Sequence, residues 1–373
     1  MRKFYVFIKS WLEYIKLRSV LLLKIFQVGK EFRKSNVVLY VSNKFLHDYR
    51  VRWSGISKVV HRHWPDWYYS ISGKENLDYV SEDIYYSLIE PILNDKRMAY
   101  AYSDKNMYNK LYAGDIFPKV FFRNMHGCTM DGQYRNVACF DDKLLEGAKV
   151  FLKPSIESGS GQNVELFLRR ENGEYFNING ARLSREYLDK RYAKNYLIQS
   201  SIDQYDFFSR LCSTSVNTIR VQTYRSVKSN KPCVLKAVLR IGKQGAAIDN
   251  QNAGGVAAEL DQHGKAWEYA TDKIGNKVYT LSSGLRVQDI GQVPFFSDII
   301  STAIALAEQM PYCRVLGFDI CVDKNGKIVV IEINTQWLGI LFFQTGGKSM
   351  FGQYTSEVID YCAEYLRSNR IIY

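Results

Sequence analysis

The stretch GFDICVDKNGKIVVIEIN, Gly317 to Asn334, constrains the fold more than any other part of the chain. Two runs rich in β-branched residues meet at Asn325-Gly326. Asn-Gly between alternating apolar residues is the strongest short-range signal for an antiparallel hairpin, because both central turn positions need φ > 0. A two-residue turn predicts the pairs Lys324–Lys327, Val322–Val329, Ile320–Ile331 and Asp319–Glu332. Two carboxylates then face each other across the ladder. Like charges so placed are destabilising by up to about 1 kcal/mol, and by more when buried, unless one is protonated or a cation lies between them. Asn334, two residues beyond Glu332, projects from the same face and adds a neutral oxygen. Three hard oxygen ligands suit Mg²⁺, which takes one or two carboxylates together with substrate phosphate oxygens. The ordinary alternative is a solvated strand face. Against it, Cys321, Ile328 and Val330 share that face.

The charge of the chain is uneven. Residues 1–60 hold 13 Lys and Arg against 3 Asp and Glu, out of 50 basic and 38 acidic residues in all 373, so the basicity belongs to the N-terminus. Residues 3–34 show apolar positions Phe4, Ile8, Trp11, Leu12, Ile15, Leu22, Leu23 and Phe26 at helical spacing, with Lys and Arg around them. Such a helix either lies on an anionic membrane surface or packs its apolar stripe on the protein body. No nucleic-acid-binding motif accompanies the charge, so no nucleic-acid partner is expected. Seven cysteines without a Cys-x-x-Cys pair fit neither a secreted disulfide framework nor a zinc site, which predicts a cytoplasmic protein. Lys9 and Lys16 interrupt the N-terminal apolar segment, so no signal peptide is expected. The longest uncharged run, Ile333 to Gly347, is 15 residues and polar, too short to span a bilayer.

The segment VSEDIYYSLIEPILND predicts a helix capped at Ser81 and ended near Asn94. His61 and His63 in HRHWPDWYYS lack a third ligand at metal spacing and read as structural. Beyond residue 96, strands and helices alternate. KVFLKPSIESGSGQNVELFLRR reads as strand, glycine-rich loop, strand; YLIQSSI, TIRVQTYRS and CVLKAVLRIGK read as strands; FFSDIISTAIALAEQM and residues 353–369 read as helices. The expected organisation is a basic, aromatic, helical region at 1–95 and a catalytic region at 96–373, divided at 198/199.

Lys153 ends an apolar strand before SIESGSGQNV. A lysine fixed there beside a Gly/Ser loop can hold phosphate oxygens through its ammonium and backbone N–H groups, although a flexible turn explains the loop equally simply. Arg220 and Arg240 occupy interior strand patterns, where a charge that cannot be removed needs an anionic partner, whether a ligand or a structural salt bridge. Taken in order, Lys105 in SDKNMYNKL, Lys153 in FLKP, YLIQSSI, Arg220, Arg240 with DNQNAGG, and GFDI…IEIN resemble the ATP-grasp superfamily over roughly residues 96–350. YVSEDIYYSLIEPILND, FPKVFFRNMHG and SVNTIRVQTY narrow the resemblance to the sugar-transfer-associated ATP-grasp proteins found with bacterial cell-surface polysaccharide genes.

The resemblance implies an α+β ATP-grasp fold, two α+β subdomains clamping ATP, with the basic helical region in front. It implies Lys105, Lys153 and the loop Ser158, Gly159, Ser160 and Gly161 on the phosphates. Gln199, Ser200, Ser201 and Ile202 would lie at the adenine, and Mg²⁺ on Asp319, Glu332 and Asn334. Many members carry glutamate where Gln199 stands. The implied reaction phosphorylates a carboxylate and lets an amine displace the phosphate, with Arg220 and Arg240 stabilising the developing charge. An ATP-dependent ligase joining an amine to a sugar or glycan carboxylate is the first reading. A phosphotransferase acting on a sugar hydroxyl and a nucleotide-binding scaffold are the others. Asn250, Gly254, Gly255 and Trp337 are candidate substrate residues, from loops whose composition fits sugar stacking as well as core packing.

Overall fold

After residue 118 the β-branched and aromatic runs settle into two antiparallel sheets. The computed structural model describes residues 39–156, 163–245 and 251–368, and of the N-terminal segment Tyr5, Ile8, Trp11, Leu12, Ile15, Lys16, Arg18, Ser19, Leu22, Leu23 and Phe26, all of them helical. Among the described residues, the smaller sheet holds β1 (Val120–Met125), β2 (Cys128–Asp131), β3 (Lys149–Pro154), β4 (Glu165–Arg169), β5 (Tyr175–Asn177) and β6 (Tyr196–Ser200), in the order β2-β1-β6-β3-β4-β5. The larger holds β7 (Thr218–Arg225), β8 (Pro232–Ile241), β9 (Val256–Leu260), β10 (Ala270–Thr271), β11 (Lys277–Val278), β12 (Val315–Val322) and β13 (Ile328–Asn334), in the order β11-β10-β9-β8-β7-β12-β13.

Strand alternation divides each sheet into an apolar and a polar face. In the smaller sheet Phe122, Val150, Leu152, Phe167 and Ile198 are buried together, which turns Arg123, Leu197 and Lys153, a single row across β1, β6 and β3, to the other side. In the larger sheet Ile219, Val221, Leu239 and Ile320 pack on Ile299, Ala303 and Leu306 of the helix Phe296–Glu308. The alternate residues Arg220, Gln222, Lys236, Val238, Arg240 and Asp319 face the opposite way.

The hairpin differs from its expected form in a telling way. Its turn is Asp323 to Lys327: the Asp323 N–H donates to the Lys327 carbonyl and the Gly326 N–H to the Asp323 carbonyl, both at 2.9 Å, with Gly326 at φ 84°. The inner pairs are therefore Val322–Ile328, Cys321–Val329 and Ile320–Val330, one residue off the two-residue-turn prediction. A bulge that skips Ile331 then restores Asp319–Glu332 and Gly317–Asn334. A one-residue slip would have turned Glu332 to the other face, and the bulge reverses it.

Helices Asn43–Trp53 and His63–Ser72 bury Trp53, Trp64, Trp67 and Tyr68 against Leu338, Ile340 and Phe351 and against Val358 and Cys362 of the C-terminal helix Thr355–Arg367. The expected 81–94 helix runs continuously, as α-helix Glu82–Ile84, π-helix Tyr85–Ile89 and α-helix Glu90–Leu93. Ser81 stands at its N-cap, but the hydroxyl makes no capping bond. Asn94 ties this helix to the larger sheet, donating to the carbonyls of Val315 and Thr335 at 2.7 and 2.8 Å.

Candidate active site

Four cationic side chains and two carboxylates converge between the sheets, from segments far apart in sequence. Lys105 follows the helix Lys96–Ser103 in a loop fixed through backbone groups. The Lys105 N–H donates to the Ser155 carbonyl at 3.0 Å, and the Asn106 carbonyl accepts from Arg123 at 2.9 Å and from the Tyr134 hydroxyl at 2.7 Å. This sets the Lys105 Nζ 2.8 Å from Glu332 Oε1 on β13. Lys153 stands beside them at the end of β3, 5% exposed. Burial, reinforced by the charge of Lys105 and offset in part by Glu332, pushes its ammonium down to about 7.

Asp319 forms the other half. Arg220 clamps it with two parallel hydrogen bonds, from Nε to Oδ1 and from Nη2 to Oδ2 at 2.8 Å, and Arg240 Nη1 donates to Oδ2 at 3.1 Å. The Asn334 amide approaches the same oxygen at 3.5 Å. Burial alone would raise this carboxyl. The two guanidinium groups overcome it and hold Asp319 well below the usual carboxylate range. Asp319 and Glu332 do face each other as the register predicts, but each meets cations, so the repulsion expected from two facing carboxylates is relieved.

The cluster carries a surplus of positive charge and suits a polyanion with several phosphate oxygens. For a hard cation the fit rests on Glu332 and Asn334. Among the described residues no three His, Cys, Asp or Glu side chains gather, and the oxygens of Asp319 are taken by arginines. The Asn334 amide, turned about its last bond, would present its oxygen.

The remaining sequence candidates are placed less tightly. Gln199 is buried on β6 between Val120 and Phe151. Ser200, Ser201 and Ile202 wall a cavity of about 750 Å³ with Val120, Arg123, Tyr134 and Val329; Lys105, Lys153 and Glu332 are not in its wall. Gly254 and Gly255 lead into β9, whose Val256 pairs with Ile241 beside Arg240. Trp337 lies three residues past Asn334 with φ 54° and 44% exposure. Ser158, Gly159, Ser160, Gly161 and Asn250 lie outside the described residues. Sequence reading passed over Glu90, which is buried near the backbone of Trp337 and Leu338 and is pushed up to about 7, chiefly by burial. It also passed over the buried pair Lys236–Glu259, at 2.6 Å. The signal was available: a glutamate inside YYSLIEPIL, and a lysine and a glutamate within strand patterns, each need a buried partner.

The family model described as sugar-transfer associated ATP-grasp matches residues 87–358. No curated protein matches the chain. Solved structures with some likeness include the ATP-grasp ligase PsnB complexed with minimal precursor, 13% identical, covering 72% of this chain and 63% of that one, with a TM-score of 0.38. An L-amino acid ligase from Bacillus licheniformis is 12% identical, over 72% of this chain and 47% of that one, with a TM-score of 0.35. The VanG D-Ala:D-Ser ligase from Enterococcus faecalis is 11% identical, over 70% and 61%, with a TM-score of 0.36. The chain spans less than two thirds of the length of each.

Proposed function

The chain belongs to the sugar-transfer associated ATP-grasp family, and on that premise we propose that it is an ATP-dependent, ADP-forming ligase that joins an amine to a sugar or glycan carboxylate during cell-surface polysaccharide synthesis. One observation carries the reading: Lys105, Lys153, Arg220 and Arg240 surround two carboxylates and leave net positive charge in a buried site. Triphosphate is the ligand chemistry that such a surplus suits. Lys105 and Lys153 hold its phosphates, a role the family resemblance also gives to Ser158 to Gly161, and the adenine end lies against Gln199 to Ile202. Glu332 and Asn334 would hold Mg²⁺, with Asp319 setting the two arginines, and the ion would supply positive charge to the phosphates.

Arg220 and Arg240 supply fixed positive charge where the carboxylate attacks and where the tetrahedral carbon later bears its oxyanion. No covalent enzyme intermediate is needed. The division at 198/199 into a nucleotide-grip and a catalytic subdomain is part of the proposal. In its support, the smaller sheet ends at Ser200 and the larger begins at Thr218.

The N-terminal segment is proposed to rest on the anionic cytoplasmic face of the membrane. The apolar side chains described on it, among them Tyr5, Trp11, Leu12, Leu23 and Phe26, are exposed, and basic residues dominate its sequence. No helix among the described residues is long and apolar enough to cross a bilayer.

Incubation with ATP, Mg²⁺, uronic acids and a pool of amines tests the ligase. One ADP and one phosphate per amide, with phosphate release dependent on the amine, is the expected result. A phosphorylated sugar formed without amine overturns it in favour of phosphotransfer, and tight ATP binding without turnover in favour of a scaffold.

A further inference from the structure

Arg18 leaves the exposed N-terminal segment and enters the body of the protein. Its side chain is 14% exposed, whereas Trp11, Leu12, Leu23 and Phe26 of the same segment are more than half exposed. The guanidinium is received by five acceptors. Nη1 donates to the Ser87 hydroxyl at 3.1 Å and to the Asp83 carbonyl at 3.5 Å, Nη2 donates to the Ser57 hydroxyl and the Val59 carbonyl, both at 3.2 Å, and Asp83 Oδ2 lies 3.5 Å from Nη1. Ser57, Asp83 and Ser87 are all buried. Among the described residues neither oxygen of the Asp83 carboxylate has a hydrogen-bond partner, so Arg18 is what balances a charge that is costly to bury alone. Ser87 belongs to the π-helical turn Tyr85–Ile89, an uncommon conformation found frequently at functional sites. Its neighbour Tyr86 accepts from the Gly339 N–H at 3.0 Å, in the turn whose Leu338 carbonyl accepts from Arg220 at 3.0 Å. One helix therefore touches both the N-terminal segment and the turn that borders the charge cluster.

The rim of the Arg18 pocket is basic and partly apolar. Val59 is 56% exposed, Lys58 and Arg50 are exposed, and the Arg50 Nε donates to the Val60 carbonyl at 3.3 Å. Residues 49–65 hold Arg50, Arg52, Lys58 and Arg62 and no acidic residue. Arg52 and Arg62 are paired to Asp78 and Asp66, which leaves Arg50 and Lys58 without a carboxylate among the described residues. We infer that Arg18 fastens the N-terminal segment to the body, so that the segment and the rim at Arg50, Lys58 and Val59 meet an anionic bilayer as one surface. This rests on the membrane reading of the segment and adds to it which face of the body lies on the bilayer. Apolar side chains entering the headgroup region beside cations facing anionic lipid are the chemistry that such a surface fits.

The test places a photo-crosslinking benzoylphenylalanine in the full-length chain at Val59 or, as a control, at Ile178, which is 96% exposed just past the edge strand β5. On vesicles of phosphatidylglycerol and phosphatidylcholine at low salt, irradiation should give at least about fivefold more lipid adduct at position 59 than at position 178. Arg18→Ala should still sediment with the vesicles, because its basic and apolar neighbours remain, but should lose at least about fivefold of the adduct at position 59. In solution it should melt at least about 3 °C below wild type, since Asp83 is left buried without a counter-charge. Arg18→Gln combined with Asp83→Asn, which removes both charges together, should fold and lose the adduct in the same way. Equal adducts at the two positions in a sedimenting wild type, adducts unchanged by both Arg18 variants, an unchanged melting temperature in Arg18→Ala, or crosslinks at position 59 to a second copy of the chain in place of lipid would overturn the inference and leave membrane binding standing. A wild-type chain that stays in solution at low salt would remove the membrane reading and this inference with it.

Discussion

Asp319 on the larger sheet and Lys153 on the smaller are about equally buried, at 4% and 5% exposure, yet their surroundings treat their charges in opposite ways. Asp319 receives three hydrogen bonds from two guanidinium groups and is stabilised as a carboxylate. Lys153 has another ammonium, Lys105, close by and shares a single carboxylate with it, so burial carries its pKa down to about 7. One half of the site is electrostatically complete by itself. The other sets two ammonium groups against one carboxylate, and the proposed triphosphate would balance them. On the proposed reading the difference separates residues that build the site from residues that would meet the ligand, and it predicts that mutations in the two halves fail differently.

The largest effect is expected on the complete half. Asp319→Ala leaves Arg220 and Arg240 buried without a counter-charge, which typically costs about 3–5 kcal/mol, so urea or thermal unfolding should show a strongly destabilised chain. A midpoint close to wild type would show that water or neighbouring carbonyls already satisfy the arginines.

The incomplete half should respond to pH. In the folded chain Lys153 loses its proton above about 7, while in the unfolded chain it holds it to the ordinary value of 10.5. The unfolded state binds more protons in that window, so this group makes stability rise with pH there, by at most about 1.4 kcal/mol per unit. Lys153→Met should remove that rise, which unfolding curves of both chains between pH 7 and 9.5 would reveal. Identical pH slopes would place the ammonium in a better-solvated setting. Phosphate charge favours protonated Lys153, so ATP binding at pH 8 should take up protons, read as a dependence of calorimetric heat on buffer ionisation enthalpy.

Glu332 touches both halves, opposite Asp319 and paired to Lys105. Glu332→Gln should lower ADP release at least about 100-fold, because a neutral amide in place of the carboxylate weakens the proposed Mg²⁺ site. It should cost only about 1 kcal/mol of stability, as a hydrogen bond from Lys105 survives to the amide oxygen. Wild-type turnover in this variant would exclude Glu332 from the site. The smallest effect concerns the N-terminal segment. The full-length chain should sediment with anionic vesicles at low salt and leave them at high salt, each basic residue adding about 1 kcal/mol at the surface. Deletion of residues 1–34 should abolish sedimentation with ATP binding intact.

What the sequence disclosed follows the same division. The juxtaposition of Asp319 and Glu332 was legible because alternation and Asn325-Gly326 fix the strands, although the turn and the bulge at Ile331 each moved the register by one residue and only together gave the expected pair. That Arg220 and Arg240 need an anion was legible; that Asp319 serves both was not, because the pairing of β12 with β7 joins segments 99 residues apart and no local pattern encodes it. Lys105 and Lys153 were singled out by their context, and the structure brings them together beside Glu332. Tyr86 was missed, since its partner is the backbone N–H of Gly339, some 250 residues later, which side-chain chemistry does not announce; Glu90 was missed because its burial depends on the packing of the same distant turn.

The nucleotide grip is tested most directly by titrating ATP with Mg²⁺ into the wild-type chain and into Lys153→Met at pH 7. Wild type should bind with a rise in melting temperature by mass action, and Lys153→Met should remain folded with an apo melting temperature equal or higher while its ATP affinity falls at least about tenfold. Equal ATP affinity in the two chains would contradict the assignment of this buried lysine, and of the positive surplus around it, to a bound triphosphate.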